Sequence, residues 1–164
     1  MPAGLTLVGV GPGDPELLTL AAVHAIEQAD VVATPLAREG VASMAATIAS
    51  RYIAPQQRLL PLLFPMVEAA APRQQAWHQA ADALAAEVSA GRSVALLCEG
   101  DASLFATGSY VLLALQQRHP DGPTRVIPGI TAISAAAAAA AWPCLLYTSP
   151  SPRDQEASRM PSSA

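Results

Sequence analysis

The chain has 164 residues, 52% of them apolar and 13% charged, and a net charge of -4. That is ample apolar material for the core of one ordinary domain, which excludes general disorder. The absence of a basic surface excludes a polyanion, so no nucleic acid partner is expected.

The opening residues Met1 to Leu7 carry no positive region ahead of an apolar stretch, so no secretory signal is read there. The longest weakly polar run, Ile130 to Trp142, is far shorter than the roughly 20 residues that span a bilayer. A soluble, cytoplasmic protein with no membrane partner is therefore expected. Cys98 and Cys144 sit in dissimilar contexts without metal-ligand spacing, which gives neither a disulfide framework nor a zinc site. Cys98 reads as a small buried hydrophobe.

In chain order, Leu5 to Val10 is a short apolar run ended by glycines and predicts a buried strand. After Gly11-Pro-Gly-Asp14, Pro15 fits the first helical position with Asp14 as cap. Leu17, Leu18, Ala21, Ala22, Ala25 and Ile26 then recur at helical spacing. Asp30 to Ala33 predicts a second strand, and strand-helix-strand order with short joints implies parallel pairing by right-handed crossover. Ala42 to Tyr52 reads as a helix. Arg58 to Met66 reads as an extended segment that Pro61 and Pro65 confine to an edge or loop, and Arg73 to Ala90 as a long helix closed by Gly91. Ser93 to Cys98 and Thr124 to Ile127 predict strands, Ser109 to Arg118 and Thr131 to Ala141 helices. The fold class is α/β with a parallel sheet.

From Pro143 onward, prolines and serines with scattered charges show no period, so residues 143–164 are expected to be a disordered tail. The run Leu146 to Asp154 resembles translated adapter sequence, which makes the tail non-native; a continuous genomic reading frame through it would overturn that. The organised domain is expected to occupy residues 1–142.

Three turns follow strand ends: Gly9-Val-Gly-Pro-Gly-Asp14, Glu99-Gly-Asp-Ala-Ser103 and Pro128-Gly-Ile-Thr131. In a parallel sheet they share one edge, where loops and helix N-termini present unpaired N–H groups to a small polar ligand. A dinucleotide fingerprint fails, because Asp14 stands where the third glycine belongs and its charge repels a pyrophosphate. Asp30, the candidate acidic partner, opens its strand at the wrong edge. Taken alone, the first loop is only a tight turn.

Taken together, Gly9 to Thr19, Ala29-Asp-Val-Val32, Glu99-Gly-Asp101 and Ile127-Pro-Gly-Ile-Thr131 resemble, in order and spacing, the signature of the tetrapyrrole (class III) methyltransferases, over residues 5 to about 142. Within that family, Leu62-Leu-Phe-Pro-Met66 ahead of Trp77, with Asp101 to Tyr110, looks most like the branch that methylates C20 of precorrin-2 to precorrin-3A in cobalamin biosynthesis. The resemblance implies a methyltransferase with S-adenosylmethionine as methyl donor, folded between two α/β domains, and a homodimer for the full-length form. The chain then corresponds to the N-terminal domain, with the second domain absent and little activity on its own.

Carried over position by position, cofactor contacts fall on Pro12, Glu99, Gly100, Asp101, Leu104, Thr131 and Ala132. A wall of Pro35, Leu36, Phe64, Pro65 and Met66 is expected on the tetrapyrrole side. Read without the resemblance, Asp101 is equally a turn or helix-cap aspartate. In-line methyl transfer needs alignment and water exclusion rather than a nucleophilic side chain. Pro35 stands where some members carry an aspartate, His24, His78 and His119 read as solvated helix residues, and no acid, base or metal ligand is assigned. Two rivals remain: a relative acting at another ring carbon or on a protein residue, and a nonenzymatic nucleotide-binding module.

Overall fold

Alternating apolar runs and helical periods build a five-stranded, wholly parallel sheet in the computed structural model, which describes residues 2–104 and 106–142. The strands are β1 (Gly4–Gly9), β2 (Val31–Leu36), β3 (Arg58–Leu63), β4 (Ser93–Cys98) and β5 (Thr124–Ile127). Their order across the sheet is β3-β2-β4-β1-β5. Every residue of β4 is buried, as befits a central strand covered on both faces. β3 and β5 are edges and mostly exposed, so Pro61 lies where a missing N–H is tolerated.

Side chains alternate across the pleat and so feed two cores. Leu5, Leu7, Val31, Ala33, Val94 and Leu96 pack against α3 (Ala70–Ser89) and α4 (Thr107–Arg118). Val8, Val10, Val32, Ala95, Leu97 and Ile127 pack against α1 (Leu20–Glu27) and α2 (Met44–Ala49). Moving from β1 to β2 and β3 the chain runs one way across the sheet, and from β3 to β4 and β5 the other. With every crossover right-handed, the two directions place their helices on opposite faces. The reversal falls between β4 and β1.

The amino ends of the strands are locked by polar side chains. The carboxylate of Asp30 accepts from the Ser93 N–H and hydroxyl at 2.8 and 2.7 Å, which ties the start of β2 to β4. Gln57 donates to the carbonyls of Ile26 and Ala29 and closes the end of α1. Buried Glu87 on α3 pairs with Arg58 and Arg92. α3 and α4 are joined by Asp82, which takes Arg118 at 2.7 Å and His119 at 2.8 Å, and by Trp77 stacked on Tyr110 with centroids 4.3 Å apart.

The first helix differs from its sequence reading. Asp14 caps only a single 3-10 turn at Pro15–Leu17, Leu18 is extended, and α1 restarts under Thr19, whose hydroxyl accepts from the Ala22 N–H. A second capping residue inside the helical period broke it. Likewise Ser43 caps α2 at Met44 and the helix tightens to a 3-10 turn at Ser50–Tyr52, and β2 runs on through Pro35 to Leu36.

The chain up to Ala132 is one compact unit. The described part of the second unit, residues 133–142, holds the rest of α5 (Ala132–Ala139), an alanine-rich helix of high intrinsic propensity, and the turn that follows it. The expected tail, Cys144 included, lies outside the described residues.

One packing contact offers a test of how tightly α4 sits on the sheet. A Cβ at buried Gly108 would stand 2.6 Å from the Cys98 Sγ. Gly108→Ala is expected to cost about 1 kcal/mol net, overpacking of about 1–3 set against about 1 of helix propensity. Cys98→Ala added to it vacates the space, so denaturant unfolding of the double variant should show a cost below the sum of the single ones.

Candidate functional site

At the carboxyl edge the three loops meet backbone to backbone. Gly11 and Gly100 exchange N–H to carbonyl bonds at 3.1 and 2.8 Å, which extends the β1–β4 pairing past the strand ends. Gly129 lies against Gly9 and Gly100. A Cβ on Gly9 would stand 2.5 Å from the Gly129 nitrogen, and a Cβ on Gly129 would overlap the Gly100 carbonyl oxygen. Only glycine permits that approach.

Asp101 clamps the junction. Its Oδ1 accepts from the Ser103 N–H and hydroxyl at 2.9 and 2.7 Å, and its Oδ2 from the Gly129 N–H at 2.8 Å. Burial, the largest single influence, pushes this carboxyl up. The Ser103 hydroxyl and the N–H groups of Gly129, Ser103 and Leu104 together outweigh it and hold the group below its ordinary 3.8. Three hydrogen bonds thus hold the carboxylate within the protein, and Asp101 shapes the loops on which the other expected contacts sit.

Of those contacts, Pro12 lies within the Gly11–Gly13 turn beside the junction, and Glu99, Gly100 and Leu104 surround Asp101. Thr131 and Ala132 follow Gly129 at the start of α5. Gly13 and Gly100 have φ of 144° and 65°, and a Cβ on either would meet open space. Their backbones therefore form an uncovered cradle that a small polar ligand can approach closely.

Beside the cradle lies a pocket of about 350 Å³ at the ends of β2, β3 and β4. It brings together Pro35, Leu36, Phe64 and Met66 of the expected wall with Glu99; Pro65 is not part of the lining. The opposite wall, Ala106, Thr107, Gly108 and Val111 of the α4 segment, escaped sequence reasoning. Its one available signal was Gly108 inside a helical period. Cys98 also lines the pocket, and burial pushes its thiol up to about 12, so it stays protonated and a poor nucleophile. Among the described residues there is no cluster able to hold a metal ion, and no helix long and apolar enough to cross a membrane.

A doubly wound sheet whose glycine loops meet at the reversal between β4 and β1 is a small-molecule-binding domain with its crevice at the strands' carboxyl ends. The family described as Tetrapyrrole (Corrin/Porphyrin) Methylases matches residues 4–147, and the chain belongs to it. It is 34% identical to the cobalt-precorrin-2 C(20)-methyltransferase of Salmonella typhimurium over 85% of this chain and 57% of that one. It is 38% identical to the precorrin-2 C(20)-methyltransferase of a Sinorhizobium species over 77% of this chain and 54% of that one. A solved uroporphyrin-III-C-methyltransferase from Thermus thermophilus superposes with a TM-score of 0.58 at 30% identity, covering 83% of this chain and 52% of its own. The chain spans about half the length of the curated relatives it matches.

The clamp makes a prediction with a pH dependence. A carboxyl held below 3.8 in the folded state stabilises it above that pH, and the contribution is lost as pH falls through the lowered folded value. Asp101→Asn turns a donor toward the Gly129 N–H and is expected to cost about 1–3 kcal/mol at neutral pH. The gap between variant and parent should close on acidification below 3.8. Urea unfolding across pH reads both, and a pH-independent gap would remove the carboxylate from the clamp.

Proposed function

We propose that the whole protein transfers a methyl group from S-adenosylmethionine to C20 of precorrin-2, giving precorrin-3A in cobalamin biosynthesis. The observation that carries this reading is the 34% and 38% identity to two relatives named for C20 methylation, within a family match over residues 4–147 that contains the glycine junction and the pocket residues. The donor supplies an electrophilic methyl on a sulfonium, and the protein's part is to align it with an electron-rich ring carbon and exclude water.

The residues present fit that part. The bare backbones of Gly13 and Gly100 admit the donor closely, with Pro12, Leu104, Thr131 and Ala132 around it, and the Glu99 carboxylate offers an acceptor to its cationic or polar groups. Asp101 positions these loops rather than touching the donor. Pro35, Leu36, Phe64 and Met66 give the macrocycle an apolar wall. The neutral Cys98 thiol does not compete for the methyl group. No side chain is assigned as acid or base.

A second reading, methylation at another ring carbon, draws support from the likeness to the Thermus enzyme. On either reading the 164 residues provide one side of the cleft, and transfer needs the part that the relatives have beyond it.

Fusion of residues 1–142 to the remaining half of the Salmonella relative, incubated with precorrin-2 and isotope-labelled S-adenosylmethionine, is expected to label C20. Label on a different carbon favours the second reading. For the 164 residues alone, calorimetry with S-adenosylhomocysteine is expected to give a dissociation constant weaker than about 1 μM, or less than about 8 kcal/mol of binding. Tighter binding would show that this side suffices for the cofactor.

A further inference from the structure

The cations of this protein are partitioned in a way the fold does not require. Histidines aside, all nine basic residues are arginines. Arg51 pairs with Glu16, Arg58 and Arg92 with Glu87, and Arg118 with Asp82. Among the described residues Arg38, Arg73 and Arg125 form no ion pair, although Glu39 and Glu68 lie on the same segments as the first two. Arg125 belongs to β5, at the far edge of the sheet. Arg38 and Arg73 instead lie on the segments that follow the carboxyl ends of β2 and β3.

Arg38 directly follows Ala37 of the pocket lining, just past the end of β2. Arg73 lies in the first turn of α3, which begins a few residues after the lining residue Met66. The buried residues Ala76, Ala80, Leu84 and Glu87 mark the face of α3 turned to the sheet. One step back along that stripe is position 73, where the helix emerges beyond the strand ends. A cation there opposes the positive end of the helix dipole, and α3 has neither an acidic residue in its first turn nor a side-chain cap to offset it. Helix stability thus argues against arginine at 73, and so a ligand's charge is the better reason for it.

The pocket lining itself contains no cation and one carboxylate, Glu99, next to the glycine junction. The crevice is therefore polarised, negative at the β4 end and positive at its β2 and β3 rim.

We propose that Arg38 and Arg73 form a carboxylate-binding rim that orients an acidic macrocycle by its peripheral acid side chains. The apolar ring rests on Leu36, Phe64 and Met66, and the carboxylates stay away from Glu99. An early tetrapyrrole carries acetate and propionate groups around a largely apolar ring, and guanidinium binds carboxylate as a two-pronged fork. This assignment rests on the macrocycle reading above and adds the residues that fix which way round the ring enters.

Uroporphyrin III, a stable octacarboxylic macrocycle, serves as the probe, its fluorescence followed on titration with the 164-residue chain at fixed salt. Arg38→Ala and Arg73→Ala are each expected to weaken binding about tenfold, the loss of one charge-assisted contact. Arg38→Lys and Arg73→Lys should recover only part, and Arg125→Ala, the same charge change at the far edge, should alter it less than about twofold. Because the side chains of Arg38 and Arg73 are exposed and form no ion pair, the Arg38 variants should melt with the parent and Arg73→Ala no lower than it, since it removes a cation from the positive end of α3. Parent-like binding by the double alanine variant, or an equal loss in Arg125→Ala, overturns the rim and leaves the macrocycle reading standing. No uroporphyrin binding by the parent chain or by the fusion of residues 1–142 to the remaining half of the Salmonella relative overturns the macrocycle reading and the rim with it.

Discussion

The contact of Gly9, Gly100 and Gly129, backbone against backbone, is the constraint from which the rest of the site follows. It exists because β1 lies between β4 and β5, so three loops far apart in sequence leave the sheet side by side. Without side chains they close to hydrogen-bonding distance, and the reciprocal bonds of Gly11 with Gly100 continue the sheet one step into the loops. Each glycine adds unfolded-state entropy, by roughly 0.5–1 kcal/mol relative to alanine in regular structure. Alanine at Gly9 or Gly129 would cost more than that, because its Cβ would meet immovable backbone. Asp101 then fixes the position of the third loop through the Gly129 N–H.

The two ends of the sheet are built on opposite principles. At the amino end, polar side chains consume the backbone groups: Asp30 and Ser93 satisfy each other, Gln57 closes α1, and Glu87 neutralises two arginines. At the carboxyl end glycine replaces side chain, and backbone surface stays open at Gly13 and Gly100. A domain so divided can keep a rigid base while presenting donors and acceptors that cost little to bring against a ligand.

What the sequence made legible follows the range of the forces involved. β4 and β5 are found at Ser93–Cys98 and Thr124–Ile127 as read, because an apolar run bounded by turn residues is a local signal. The first helix was misread because Thr19 offers a second cap within a period that also fits one continuous helix, and only packing decides between them. The loop residues of the site could be named because they are contiguous motifs. The α4 wall could not, since Thr107, Gly108 and Val111 enter the pocket through the height at which α4 sits above β4. Nor could the direction of the Asp101 carboxylate be read, as a turn aspartate and a ligand-facing one share the same sequence.

Topology rather than volume locates the site. A larger pocket, about 420 Å³, opens at the amino end between α3 and α4, lined by Leu84, Val88, Leu115, Arg118 and His119. Its two basic side chains are already engaged, since Arg118 and His119 both hold Asp82, and hydrogen bonds from the two drop that carboxyl to about 2. The pocket at the carboxyl end is smaller but adjoins open glycine backbone and an acid, and Arg38, which forms no ion pair, directly follows its lining residue Ala37. A ligand gains most where the fold leaves backbone uncovered beside an acid and a cavity, and in this fold that place is the carboxyl edge, from the open backbone of Gly13 and Gly100 to Glu99 and the adjoining pocket.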